Sequence, residues 1–238
     1  MSESAPSTAV AAFVKTPGLS PVKTRLSETV GPEAALETYR TCLAALTGLF
    51  NSAIPRLGVS PYWAVAEEEA KASPVWKDFP TVLQTRSPGL APRLHGVYSK
   101  LRERHPSGVL LIGADCPHLP LAFLGEAIRE LSQDDCLAVV GPASDGGFTL
   151  FGSRENFPLS FWESVSYSRP DTLAQLVQSL QAWRGQHPSR KRIHRLAVLT
   201  DIDTQEDLEK AWGEYQSLST LEPWPAQQRQ ALERLRPC

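Results

Sequence analysis

The chain has 238 residues, 42% of them hydrophobic, and a formal net charge of -2. That length suits one large α/β domain or two small ones, and the near-neutral charge excludes a basic field that would gather nucleic acid. No apolar stretch approaches the ~20 residues of a membrane span, and the polar start, Met1 to Ser7, lacks the order of a signal peptide, so a cytoplasmic protein is expected.

Ala9 to Val14 is a short apolar run that predicts a buried first strand, followed by a Pro/Gly/Ser loop. Gly31-Pro32 opens a helix, because proline is tolerated in the first turn. Leu36, Tyr39, Leu43, Leu46 and Phe50 give that helix one apolar face, and Pro55 marks its end. Strands are expected over 57–65 and 81–84, with a helix over 91–104. Val109 to Ile112 reads as a strong buried strand, followed by a helix over 121–131 and strands over 136–140 and 148–151. Ser168 and Pro170 begin a helix whose inner side carries Leu173, Leu176, Leu180 and Trp183, with Gly185 as its stop. A strand over 193–199 leads to Thr204, an N-cap with Glu206 and Asp207 in the first turn. The basic segment Arg184 to Arg195 reads as a solvated loop. Strand and helix alternate, which predicts an α/β fold with a mostly parallel sheet covered on both faces. One domain over 9–216 is the simpler count, with 217–238 as a helical extension or tail.

Three acidic loops each follow a strand-like run: Gly113-Ala-Asp-Cys-Pro-His118, Gly141-Pro-Ala-Ser-Asp-Gly-Gly147 and Asp201-Ile-Asp203. Ligands of open α/β sheets bind beyond the carboxyl ends of the strands, and carboxylates gathered there suit a divalent cation held against phosphates. The loop Lys15 to Arg25 offers three cations and Gly18, so Lys15, Lys23 and Arg25 either neutralise a diphosphate or are ordinary solvated charges. Val22 stands where a Walker A motif needs glycine, which excludes that motif.

Asp115 either meets a cation or caps the next helix. Asp145, Gly146 and Gly147 either admit a sugar or phosphate to the backbone or form a plain hairpin turn. Asp201 and Asp203 share a side of an extended segment and either complete a cation's shell or complement a helix dipole. The four cysteines, Cys42, Cys116, Cys136 and Cys238, include no C-x-x-C pair, which argues against zinc and fits reduced thiols. Cys116 lies near His118, but a buried, inert thiol is the favoured reading. His105 and His187 each precede a proline and are expected to be exposed.

Four ordered segments carry a family resemblance: Lys15-Thr-Pro with Val22-Lys-Thr-Arg-Leu26, Gly113 to Pro117, Gly141 to Phe148, and Asp201 to Leu208. They resemble the bacterial DUF2064 family of glycosyltransferase-A-fold proteins, which is similar to guanylyltransferases of cofactor synthesis. The resemblance implies a nucleotide-diphospho-sugar transferase (GT-A) fold, a Rossmann-like three-layer sandwich. It implies Lys23 and Arg25 on the donor's phosphates, Asp115 and Asp203, with Asp201, on Mg²⁺ or Mn²⁺, Asp145 facing the acceptor or sugar, and Arg93 on substrate. Two segments depart from the family pattern: Ser20-Pro21 replaces a glycine, and Leu90-Ala-Pro-Arg93 replaces Leu-Gly-x-Arg.

The leading expectation is a metal-dependent glycosyltransferase that uses a nucleotide sugar and a small-molecule acceptor. Lys23 and Arg25 would supply electrostatic stabilisation, and Asp145 would be the general base. The alternatives are a nucleotidyltransferase acting on a nucleoside triphosphate, or a non-catalytic nucleotide-binding module.

Overall fold

The computed structural model describes residues 7–186, 192–221 and 223–237. Seven strands form one sheet in the order β3-β2-β1-β4-β6-β5-β7. They are β1 (Ala9–Val14), β2 (Ser60–Val65), β3 (Thr81–Leu83), β4 (Val109–Gly113), β5 (Cys136–Pro142), β6 (Phe148–Ser153) and β7 (Arg192–Arg195). β1 is parallel to both β2 and β4, which explains why nearly every residue in it is apolar: both of its faces are covered. Only β6 runs antiparallel, against β4 on one side and β5 on the other.

The helices are α1 (Thr24–Val30), α2 (Pro32–Leu57), α3 (Leu90–Arg102), α4 (Leu121–Ser132), α5 (Leu159–Glu163), α6 (Thr172–Gln186), α7 (Gln205–Ser219) and α8 (Ala226–Leu232). On one face of the sheet, Leu46, Leu49 and Phe50 of α2 and Leu124 and Ala127 of α4 pack against Val10, Ala12 and Leu110. On the other, Tyr98 of α3, Trp162 of α5 and Leu176 of α6 pack against Leu111, Val140 and Phe151. The result is the expected three-layer α/β sandwich with a mostly parallel sheet. A third cluster joins α2, α7 and α8 through Cys42, Ala45, Tyr215, Trp224 and Leu232.

Several local expectations need correction. α1 has no counterpart in the sequence reading, since Leu26 is its one buried residue and leaves no periodic stripe. Pro55 does not end α2; it sits inside the last turn, and the helix closes at Gly58, whose left-handed backbone donates to the Ile54 carbonyl. A proline this near the end removes one hydrogen bond without breaking a long run behind it. Gly185 lies within α6, which continues to Gln186.

The strand expected over 193–199 is regular only to Arg195, and Leu199 then makes an isolated bridge to Ala143. His105 is buried, not exposed: its ring bonds the Tyr62 hydroxyl at 2.9 Å and the Ser7 carbonyl at 3.0 Å. Arg192 pairs with Glu130 and Asp135, so this end of the basic segment is not simply solvated. His187, Cys238 and the middle of the basic segment lie outside the described residues. Cys42, Cys116 and Cys136 are buried free thiols.

α8 closes the back of the Asp115 loop. The buried Gln228 amide donates to the Pro117 carbonyl at 3.0 Å and the Leu119 carbonyl at 2.9 Å. Gly48 of α2 lets α8 approach, because a Cβ there would lie 2.4 Å from the Gln228 backbone nitrogen. That neighbour is backbone and has little room to yield. Gly48→Ala should therefore cost about 1–3 kcal/mol in urea unfolding. A loss below about 0.5 kcal/mol would mean that α8 does not press on α2 in this way.

Candidate functional site

The carboxyl ends of β1, β2, β4, β5 and β7 all open on one edge of the sheet, because these strands are mutually parallel through the order above. The β5–β6 connection reaches the same edge because β6 turns straight back. Ala143 accepts from Gly146 and donates to the Gly147 carbonyl, and the Asp145 carboxylate accepts from the Gly147 N–H at 2.7 Å. The hairpin-turn reading of Asp145-Gly-Gly is therefore correct, and the turn also belongs to the site. Gly146 is needed there: its φ is +89°, and a Cβ would lie 2.0 Å from the Pro170 carbonyl oxygen.

Lys23 is the centre of the arrangement. Its backbone is left-handed (φ 49°, ψ 44°) at the start of α1, and its side chain is 1% exposed. The ammonium donates to Asp115 Oδ1 and to the Ile202 carbonyl, and lies 4.0 Å from Asp203 Oδ1. Burial is the largest single influence and pushes the ammonium's pKa down, but Asp115, Cys42 and Asp203 together push it up further, so the net direction is up. The lysine expected to face a diphosphate thus turns onto the acidic pair. Arg25, 67% exposed, approaches Asp203 from the outside at 3.7 Å.

Asp115 and Asp203, from loops 88 residues apart in sequence, converge on one cation and remain 46% and 43% exposed. A backbone bond from Ile202 N–H to the Asp115 carbonyl (2.8 Å) joins their loops directly. The capping alternative for Asp115 fails, since α4 starts at Leu121 with Pro120 at its N-cap and no side-chain cap. Beside Asp203, Thr204 and Asp207 form a reciprocal capping box, so the helix-start reading holds for them while Asp203 stays turned toward Lys23.

Among the described residues, no three His, Cys, Asp or Glu side chains gather into a group able to hold a metal. Burial first, then the neighbouring Asp145, with smaller pushes from Asp203 and Asp115, raises the Asp201 pKa to about 6. Asp203 is also raised, by burial and by Asp115, against the opposing pull of Lys23 and Arg25.

Two lobes flank the Asp115–Asp203 wall. The first, of about 340 Å³, is lined by Lys15, Arg25, Tyr39, Gln84 and Arg93 among others. Lys15 reaches the Pro21 carbonyl at 3.1 Å, and Arg93 Nε donates to the Ser87 carbonyl at 3.3 Å. Gly18 has the positive φ (+88°) that its loop requires, but it does not line this lobe. The second lobe, of about 630 Å³, holds Asp145, Gly147 and Asp201 with Phe148, Tyr167 and Arg169. Asp115, Asp203 and Arg25 line both lobes.

Sequence reasoning missed the residues that set this geometry. Glu214 of α7 accepts from Thr200 Oγ1 (2.6 Å) and N–H (3.0 Å), and pairs with the buried His118 at 2.8 Å. Burial alone would raise the Glu214 pKa, but these bonds hold it below the usual range. Glu67 likewise accepts from both the N–H and the hydroxyl of Thr16, each at 2.8 Å, and fixes the first loop. Nothing in the spacing of either glutamate announces a partner so distant in sequence. Cys116 is buried, and burial raises its pKa well above the ordinary thiol value, which supports the inert reading; His118 is engaged by Glu214.

Residues 54–169 match the family model described as "Uncharacterized protein conserved in bacteria (DUF2064)", the family whose motifs the sequence resembles. No curated protein matches the chain. A crystal structure from Desulfovibrio desulfuricans G20, described as a "putative nucleotide-diphospho-sugar transferase", is 22% identical, with 96% of this chain and 97% of that chain covered and a TM-score of 0.73. The 4-diphosphocytidyl-2C-methyl-D-erythritol synthase of Anaerococcus prevotii DSM 20548 is 11% identical, with 88% and 96% covered and a TM-score of 0.53. These likenesses establish the fold as that of the nucleotide-diphospho-sugar transferases.

The Asp201 shift has a testable sign. Its folded pKa, about 6, exceeds the unfolded value near ~3.9, so ionisation favours the unfolded chain. Stability falls as pH rises between about 4 and about 6, and Asp201→Asn should remove that contribution. In urea unfolding with chelator present, the variant should gain on the wild type as pH rises through this window. A difference that stays constant with pH would show that Asp201 does not titrate there.

Proposed function

We propose that the protein is a glycosyltransferase that binds a nucleotide-sugar donor in the first lobe and passes the sugar to a hydroxyl-bearing acceptor in the second. The observation that supports this most is the division of charge between two lobes sharing one wall. The first presents Lys15, Arg25 and Arg93, which suit a diphosphate. The second presents Asp145 and Asp201 beside Phe148 and Tyr167, while its two arginines sit near carboxylates, Arg169 with Asp171 and Arg25 with Asp203, which suits a neutral, hydroxyl-rich molecule better than a phosphorylated one.

Mg²⁺ or Mn²⁺ fits the shared wall. Asp115 and Asp203 offer hard oxygen donors, and both lie near one cation already: the Lys23 ammonium donates to Asp115 and stands 4.0 Å from Asp203 Oδ1. Two carboxylates with the donor's phosphates and water form a shell of the kind Mg²⁺ takes. When bound, the cation would neutralise charge on the departing nucleoside diphosphate. Arg25 and Arg93 would orient the phosphates from the open side. Asp145 holds one carboxylate oxygen on the Gly147 N–H, and its other oxygen is the acceptor for the proton of an attacking hydroxyl.

The chain should release nucleoside diphosphate slowly from a nucleotide sugar in the presence of Mn²⁺, because water replaces the acceptor. Asp145→Asn should lower the acceptor-dependent kcat by about 10²–10⁴-fold while leaving donor binding in place. Pyrophosphate release from a nucleoside triphosphate and a phosphorylated acceptor, with no diphosphate release from any nucleotide sugar, would replace this reading with nucleotidyl transfer. Failure of every nucleotide to raise the melting temperature, with or without Mn²⁺, would overturn both.

A further inference from the structure

We infer that Lys23 is a displaceable internal cation: a divalent metal enters by taking Asp115 and Asp203 from the Lys23 ammonium, and the freed lysine turns into the donor lobe. This rests on the reading of Asp115 and Asp203 as the metal-holding pair.

The geometry carries it in three steps. First, the ammonium and a divalent cation need the same oxygens. Lys23 Nζ donates to Asp115 Oδ1 and the Ile202 carbonyl and stands 4.0 Å from Asp203 Oδ1, so it occupies the space beside both carboxylates. Like charges crowded onto two carboxylates repel, so both cations cannot occupy the pair together.

Second, Lys23 is held in a costly state. It is one of two non-glycine residues with positive φ among those described, the other being Ser168. Its side chain is 1% exposed, although an ammonium belongs in water. A desolvated ammonium persists only while its anions hold it.

Third, the lysine has somewhere to go. Lys23 lines the first lobe together with Lys15, Arg25 and Arg93. A turn of its side chain brings the ammonium to the phosphate-binding space without moving α1, which is anchored by the buried Leu26. Metal entry and phosphate capture then become linked: the cation that neutralises one side of a diphosphate releases the lysine that meets the other. Arg25 is the internal comparison. It lies 3.7 Å from the same Asp203, but it is 67% exposed and does not occupy the pair.

The test is Mn²⁺ binding to the full chain without nucleotide, read from the electron paramagnetic resonance signal of free Mn²⁺. Lys23→Met should bind Mn²⁺ at least about tenfold more tightly than the wild type, while Arg25→Met, which removes an equal charge, should change affinity less than about threefold. Asp115→Asn should bind weakly.

A second measurement uses the wild type alone. Reductive methylation, read by mass spectrometry, should modify Lys23 slowly in chelator and faster with saturating Mn²⁺, while the exposed Lys71 and Lys77 keep constant rates. Equal Mn²⁺ affinity in Lys23→Met and wild type, with loss in Asp115→Asn, overturns this inference and leaves the metal reading standing. No Mn²⁺ bound by any form overturns both. Should Lys23→Met not fold, an unchanged Lys23 methylation rate in Mn²⁺-saturated wild type overturns it.

Discussion

An ammonium withdrawn from water needs anions around it, and Lys23 meets that need with Asp115, the Ile202 carbonyl and the nearby Asp203. Lys23 lies in the loop after β1, Asp115 in the loop after β4, and Ile202 and Asp203 in the loop after β7. One side chain therefore ties the first, middle and last thirds of the chain together at the carboxyl edge. Fully buried ion pairs add little net stability, though removing one partner costs about 3–5 kcal/mol; here the lysine is buried and its carboxylates are half exposed, so the cost is smaller. Their effect is to specify an arrangement. A chain that misplaced any of the three loops would leave a buried charge unmatched.

The rest of the molecule holds those loops still. The parallel strands deliver each loop to the same edge, and the antiparallel β6 brings the Asp145 turn there too. Beneath β6, Phe151 packs against Tyr98 and Trp162 with ring centroids 6.0 Å and 5.1 Å apart. From the side, Glu214 grips Thr200 and His118, so α7 holds the Asp203 and Asp115 loops together. From behind, Gln228 bonds the carbonyls of Pro117 and Leu119, which gives the C-terminal segment a role in shaping the site. Such supporting contacts fix reactive groups better than the loops themselves could.

Much of this was legible in the sequence, and the physical reason differs by level. The strands and long helices follow from apolar runs and three-four spacing, which are local signals; β1, β4 and the inner face of α2 needed nothing more. The site's acids were legible because each directly follows a buried strand, and their convergence follows from parallel topology. What stayed hidden depends on contacts between distant segments. The burial of His105 requires Tyr62 and the Ser7 carbonyl; the grip of Glu214 and Glu67 requires loops far from either. The inward turn of Lys23 was hidden for the same reason. A basic residue in a Pro/Gly/Ser loop reads as solvated or phosphate-facing, and only the fold brings Asp115 and Asp203 within its reach.

The division of charge gives the site a direction. A diphosphate would be drawn to the lobe that adds Lys15, Lys23 and Arg93 to the shared wall more than to the lobe that adds Asp145 and Asp201. The wall between them carries the Asp115–Asp203 pair, half open to solvent, so a cation there would touch the donor at the boundary and not deep in either lobe. On the proposed glycosyltransferase reading, the bond to be broken would lie where the two lobes meet, the leaving diphosphate would stay among cations, and the acceptor's proton would leave toward carboxylates. Neither charge would have to cross the wall during transfer, so a fixed site could stabilise both as they develop.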